Sequence, residues 1–361
     1  MGGNGNNEWA ALAGGHSHQG CPVKLRSLTG WVLPPALLAA AAAMAMPLLA
    51  LTPLAPDQSM RPLAQVNAAL QAGEADKALL LLKSLPSSDA GQADAHNLEC
   101  RVRIMLAQWN AASDQCQEAV RMDGQNSDYH MWLGRALGEK ADRASFLTAY
   151  SLAKRVRSEF EESVRLNPAN AAALADLGEF YRQAPGVVGG GIEKAQGVAA
   201  ELDKVDPARA HELRGQIADQ EKDYGTAERE FKQAIAASAH PATQWISLAS
   251  FYRRRQRWEE MESAIHSAVT AAEHDRHAGL ALYDGASILI ETNRDPALAS
   301  KMLENYLAGS AKTEEAPAFV AHLRLARLRE QLGDAAAATR ERAMALDLAH
   351  DYKPEQDSNH H

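Results

Sequence analysis

The chain is short of the residues that many catalytic and strand-built folds depend on. Three cysteines in 361 residues, Cys21, Cys100 and Cys116, are too few for a small disulfide-framed domain and lack the paired spacing of a structural zinc site. Aromatic residues make up 6%. No segment alternates apolar and polar residues over a strand's length, and the alanine-rich, valine-poor composition favours helix. Basic charge is also short: 37 Lys and Arg stand against 46 Asp and Glu, for a net charge of −9. That balance argues against nucleic acid as a partner, which requires a basic stripe.

A search for chemistry finds equally little. The glycine-rich loop Pro185 to Gly191 has no Gly-Lys-Ser or Gly-Lys-Thr, so it is not a Walker phosphate cradle. His274 and His277 lack a third ligand nearby and read as a solvated turn, and His16 and His18 form an isolated H-x-H in an unstructured stretch. No catalytic residue, cofactor or metal is expected. The rival reading is a catalytic or enzyme-associated subunit with a pocket at the extended third and fourth repeats, which convergent carboxylates or a perturbed histidine would support.

What the chain does contain begins with one apolar run. Residues 27–56 carry no charge, and Trp31 to Leu54 is long enough to cross about 30 Å of hydrocarbon. It reads as a transmembrane helix or signal anchor over 31–54, with Pro34 and Pro35 at its entry and Pro53 at its end. Lys24 and Arg26 precede it and Asp57 follows, which places a disordered lead (1–30) in the cytoplasm and the rest on the extracytoplasmic, periplasmic side. A cleaved signal peptide, releasing a secreted protein, competes with this reading.

From Pro62 to His350 a unit of about 34 residues recurs. Its clearest copy is Ala242 to Glu273: Trp245, Leu248, Ala249 and Tyr252 form one helical stripe, and Trp258, Met261, Ile265 and Ala268 a second. Two antiparallel helices approach closely only where side chains are small, and one pair cannot bury both of its faces. About eight such units therefore predict an all-α solenoid over 60–350, followed by a disordered tail (351–361). The third unit carries about ten extra residues between Gly134 and Phe160, and Phe146 to Val164 repeat at helical spacing, so its second helix starts early. Phe146 and Tyr150 are expected to pack beneath that extension, the alternative being an apolar contact for a partner. The loop Pro185 to Gly191 reads as an insertion with positive-φ glycines. Cys100 and Cys116 fall at small-residue phases of one unit and are expected to pack as compact hydrophobes, their Cα atoms beyond the 7 Å reach of a disulfide; a disulfide formed in an oxidising compartment is the alternative.

This spacing resembles the tetratricopeptide repeat family over roughly four-fifths of the chain. Over 129–207, Tyr129 to Gly134, Leu166 to Pro168 and Gly189 to Ala195 further resemble the helical-repeat region of the regulator of microtubule dynamics family. The first resemblance implies a concave groove lined by the first helix of each unit, with Asn97, Arg101, Met131, Arg135, Glu179, Arg182, Ile246, Ser250, Arg253, Leu323 and Arg327 at the groove phases. Recurrent arginines there would grip an extended, acidic or C-terminal peptide; the alternative is a solvated face whose arginines pair with neighbouring carboxylates. The implied function is a membrane-anchored scaffold of an envelope assembly that binds proteins or peptides through the groove or the inserted loop, with self-association as a further option. Overpacking a helix contact by Ala227→Trp or Gly178→Leu is expected to lower stability by about 1–3 kcal/mol, and an unchanged thermal midpoint would refute this register.

Overall fold

The computed structural model describes residues 62–90, 92–273 and 275–352. The lead 1–30, the apolar segment 31–54, Cys21, His16, His18, His274 and residues 353–361 lie outside the described residues. Eight antiparallel helix pairs follow in order: α1 (Pro62–Gln71) with α2 (Ala75–Lys83), α4 (Ala93–Met105) with α5 (Trp109–Met122), α6 (Ser127–Asp142) with α7 (Phe146–Leu166), and α8 (Ala171–Gln183) with α9 (Ile192–Leu202). Then come α10 (Pro207–Gln220) with α11 (Tyr224–Ala237), α12 (Ala242–Arg254) with α13 (Trp258–Ala272), α14 (Gly279–Glu291) with α15 (Pro296–Ala308), and α16 (Ala318–Gln331) with α17 (Ala335–Leu348). The short helix α3 (Ser87–Ala90) lies between the first and second pairs, and no strand occurs among the described residues. Among those residues no helix is long and apolar enough to cross a membrane.

The repeat lies in the turns as well as in the helices. Six first helices end on a residue of positive φ: Gly73, Ala107, Lys222, Gln256, Asn293 and Gly333. In each, the next residue's N–H reaches back to the carbonyl five positions earlier, as Asp223 does to Ala218 and Arg257 to Tyr252. This satisfies carbonyls that the helix end leaves unpaired and turns the chain sharply into the second helix. At the returning ends, Asn126, Asn170 and Asp206 accept from backbone N–H groups of the next first helix.

Small residues set the spacing inside a pair. A Cβ on Gly134 would sit 2.4 Å from the Phe160 ring, and Ala227, Ala112 and Ala195 are fully buried at equivalent contacts. Leu248, Ala249 and Tyr252 of the first predicted stripe are buried, as are Met261, Ile265 and Ala268 of the second; Trp258 stays 37% exposed at the edge. The early start of the second helix in the third unit holds, since α7 runs for 21 residues. Packing beneath it does not hold for Phe146, which is 68% exposed, whereas Tyr150 packs, partly buried, against the core. The 185–191 loop forms a 3-10 turn, Gly186–Val188, with positive φ at Gly189 and Gly191.

The cysteine expectation is corrected. Cys100 and Cys116 form a disulfide with a Cα separation of 5.2 Å. The axes of packed helices lie about 8–10 Å apart, but each Cα ring has a radius of about 2.3 Å, so residues on the two facing surfaces come within bonding reach.

A second feature has no local signature in the chain: the superhelix closes on itself. Phe319 of α16 is fully buried in one cluster with Val66, Leu70 and Ala78 of the first pair, and Ala345 and Ala349 join it. The Arg101 guanidinium donates to Glu314 at 2.6 and 2.9 Å, and Gln71 donates to the same carboxylate at 3.0 Å. The His350 N–H donates to Asp76 at 2.7 Å. Gly73 permits this closure, because its positive φ favours glycine and a Cβ there would meet the Ala318 nitrogen at 2.4 Å. Gly73→Val should therefore open the seam, expanding the radius measured by small-angle scattering and lowering stability by about 1–3 kcal/mol. Gly197→Ala, where nothing lies within 4 Å, should instead raise stability by about 0.5–1 kcal/mol. Reducing the Cys100–Cys116 bond should cost about 2–4 kcal/mol in a denaturant titration.

Candidate functional site

Closure turns the concave groove into an interior. It forms a partly open cavity of about 1100 Å³ lined by residues from the second to the eighth pair, at the upper end of small-molecule pockets, which run to about 1000 Å³. The first helices of the second to the eighth pairs supply most of its lining, as repeat geometry dictates. Of the predicted groove residues, Arg135, Glu179, Arg182, Ile246, Ser250 and Arg253 line this cavity. Asn97 and Met131 are buried in the wall, Leu323 packs beside the seam cluster, Arg101 is committed to the seam, and Arg327 is exposed on α16.

The interior arginines already have partners. Arg135 donates to Asp176 at 2.7 Å, whose side chain has no exposed surface, and its guanidinium lies 4.5 Å from the Trp132 ring centroid. The Arg101 guanidinium lies 5.1 Å from the same indole and so links it to the seam. Arg182 pairs with Glu179, and Arg253 with Glu291. Arg254 and Arg255 share Asp219. Arg324 donates to the Ser287 hydroxyl and rests over Tyr283 at 4.6 Å. These arginines are thus already paired with wall carboxylates. Arg135, Arg253 and Arg254 reach carboxylates on an adjacent repeat, 41, 38 and 35 residues away.

Three carboxylates lining the cavity make no salt bridge among the described residues: Glu212, Asp284 and Glu315. Glu212 accepts from the Ser247 hydroxyl at 2.5 Å, and burial raises its pKa. Burial also pushes Asp284 up to about 7 against the pull of Arg324. Glu315 is raised by burial and by the neighbouring Glu314 charge. The groove phases named above omit the fifth and seventh pairs, where Glu212 and Asp284 sit. A signal for one of them exists in the chain: one unit of about 34 residues beyond Ser250 falls on Asp284.

The class this architecture defines is a tetratricopeptide-like α-solenoid. No protein-family model matches the chain. Over 219 residues it is 26% identical to Superkiller complex protein 3 of Mus musculus, a match covering 58% of this chain and 13% of that protein. The chain thus spans only a small part of the length of that relative. A solved thermophilic TPR protein from Thermus thermophilus is 16% identical, with a TM-score of 0.45, covering 53% of this chain and 96% of that one. At that score the assignment rests on the helix pairs themselves. Neither similarity bears on the narrower resemblance over 129–207.

The carboxylate environments fix the sign of a pH effect. An aspartate near 3.9 in the unfolded chain that rises to about 7 when folded binds its proton more tightly in the native state. Its contribution is fully present below the unfolded value and is lost as pH rises through about 7. Asp142, which burial also pushes up to about 7, and His130, raised by its hydrogen bond to Glu159, act in the same direction. Thermal stability should therefore fall between about pH 5 and about pH 8, and Asp284→Asn should flatten that slope; a slope unchanged in the variant would contradict the assignment.

Proposed function

We propose that this protein is a non-enzymatic scaffold that holds an extended segment of a partner protein inside its closed ring of helix pairs. The observation that carries this reading is the cavity itself, walled by rigid helices, lined by mixed polar and apolar side chains, and at the upper end of small-molecule pockets in size. A preorganised wall of this kind loses little entropy on binding. The uncharged run 31–54 supports membrane anchoring with the repeats on the extracytoplasmic side, and the Cys100–Cys116 disulfide supports an oxidising compartment. Within such a compartment the ring serves an envelope assembly.

The raised carboxylates favour one second reading, acid–base chemistry in the cavity. The two readings separate in one experiment. A photo-crosslinking residue placed at Ser250, inside the cavity, or at Lys232, exposed on α11, is introduced into the full-length chain in its own membranes. The scaffold reading predicts a discrete crosslinked protein from Ser250 and none from Lys232, with the bait's N-terminus intact in mass spectrometry. Crosslinking to no protein from Ser250, with a processed N-terminus, would sink it in favour of a free soluble protein and the second reading.

A further inference from the structure

The interior's charge balance says what kind of segment fits. The arginines at the wall are held by carboxylates or aromatic faces, most of them on adjacent repeats, so they are committed to the wall itself. What remains is acidic. Glu212 and Glu315 make no salt bridge among the described residues, and Asp284 accepts no hydrogen bond from them. They come from α10, α14 and the 309–317 connection, so they spread around the wall and do not converge on one point suited to a metal. No cluster of three metal-ligating side chains occurs among the described residues. Beside them on α12, one turn before Ser247, Thr243 lines the cavity while only 3% exposed. Trp132 and Tyr283 line the same wall beneath their arginines.

We propose that the cavity is the binding site for a basic, lysine- or arginine-bearing extended segment of a partner protein, with Glu212, Asp284 and Glu315 as its charge partners and Thr243 as a hydrogen-bonding group. This rests on the scaffold reading above and reverses the acidic ligand that the arginine phases suggest. Charge complementarity carries the choice. An added anion would compete with carboxylates already bound to the arginines, whereas an added cation meets carboxylates that make no direct salt bridge. Spacing favours an extended chain over a compact cation, since acids on separate repeats are reached by successive side chains along one strand.

The test uses the full-length chain in detergent and fluorescence anisotropy at low salt, where exposed charge is least screened. The probes are a fluorescein-labelled short peptide of alternating lysine and serine and its glutamate counterpart. The lysine peptide should bind. The combined variant Glu212→Gln, Asp284→Asn, Glu315→Gln should weaken it by about a hundredfold, and the same number of charges removed outside, by Glu193→Gln, Glu221→Gln and Glu259→Gln, should leave it unchanged. The inner variant should melt no lower than the parent, which separates lost binding from lost folding. Preference for the glutamate peptide would overturn this inference and leave the interior scaffold reading intact. Equal weakening by the outer variant would assign the binding to general surface charge and overturn it. Binding of neither peptide would overturn both the inference and the reading beneath it.

Discussion

Close approach between antiparallel helices is the constraint from which the rest of the structure follows. It is possible only where the facing residues are small, and in this chain those positions return once per repeat: Ala112, Gly134 against Phe160, Ala195, Gly215 against Phe231, and Ala264. Equal pairs joined by equal turns stack with a constant rotation. Eight of them bring the last pair back to the first, and the chain uses that meeting. Phe319 enters the apolar cluster of the first pair, and Glu314 receives both Arg101 and Gln71. The seam is thus the solenoid's own stacking contact made once more between its ends.

Closure changes the electrostatics of the concave surface. On an open groove the arginines and carboxylates would be solvated and their pairs worth little. Inside a ring, water is reduced and each unpaired charge is more costly. The wall responds in two ways: arginines are placed where a nearby carboxylate or an aromatic face can hold them, and the leftover carboxylates shift toward the neutral form. Pairs such as Arg135 with Asp176 also tie repeat to repeat, so the interior surface contributes to the rigidity on which selective binding depends.

Much of this was legible in the sequence, for local reasons. The helix pairs, their number, the long second helix of the third pair and the glycine turn of the fourth all follow from apolar spacing and turn chemistry within a few dozen residues. The disulfide was not, because helix-axis spacing is a poor guide to residues on facing surfaces; Cys100 and Cys116 sit at a close point of their pair. Closure was not, because it depends on the accumulated rotation of eight units and on contacts such as Arg101 with Glu314, 213 residues apart. The interior acids were missed for a simpler reason. Repeat phase places Asp284 on the same wall as Ser250, but only the closed geometry distinguishes a committed arginine from an uncommitted carboxylate.

The central claim is that the ring is closed, and a distance across the seam tests it most directly. Spin labels at Lys77 and Asp351 flank the contact between Asp76 and His350. Pulsed dipolar measurement on the full-length chain should give a single narrow distribution at short distance. A broad distribution, or one centred at the far larger separation of the two ends of an open superhelix, would contradict the closed ring and with it the interior.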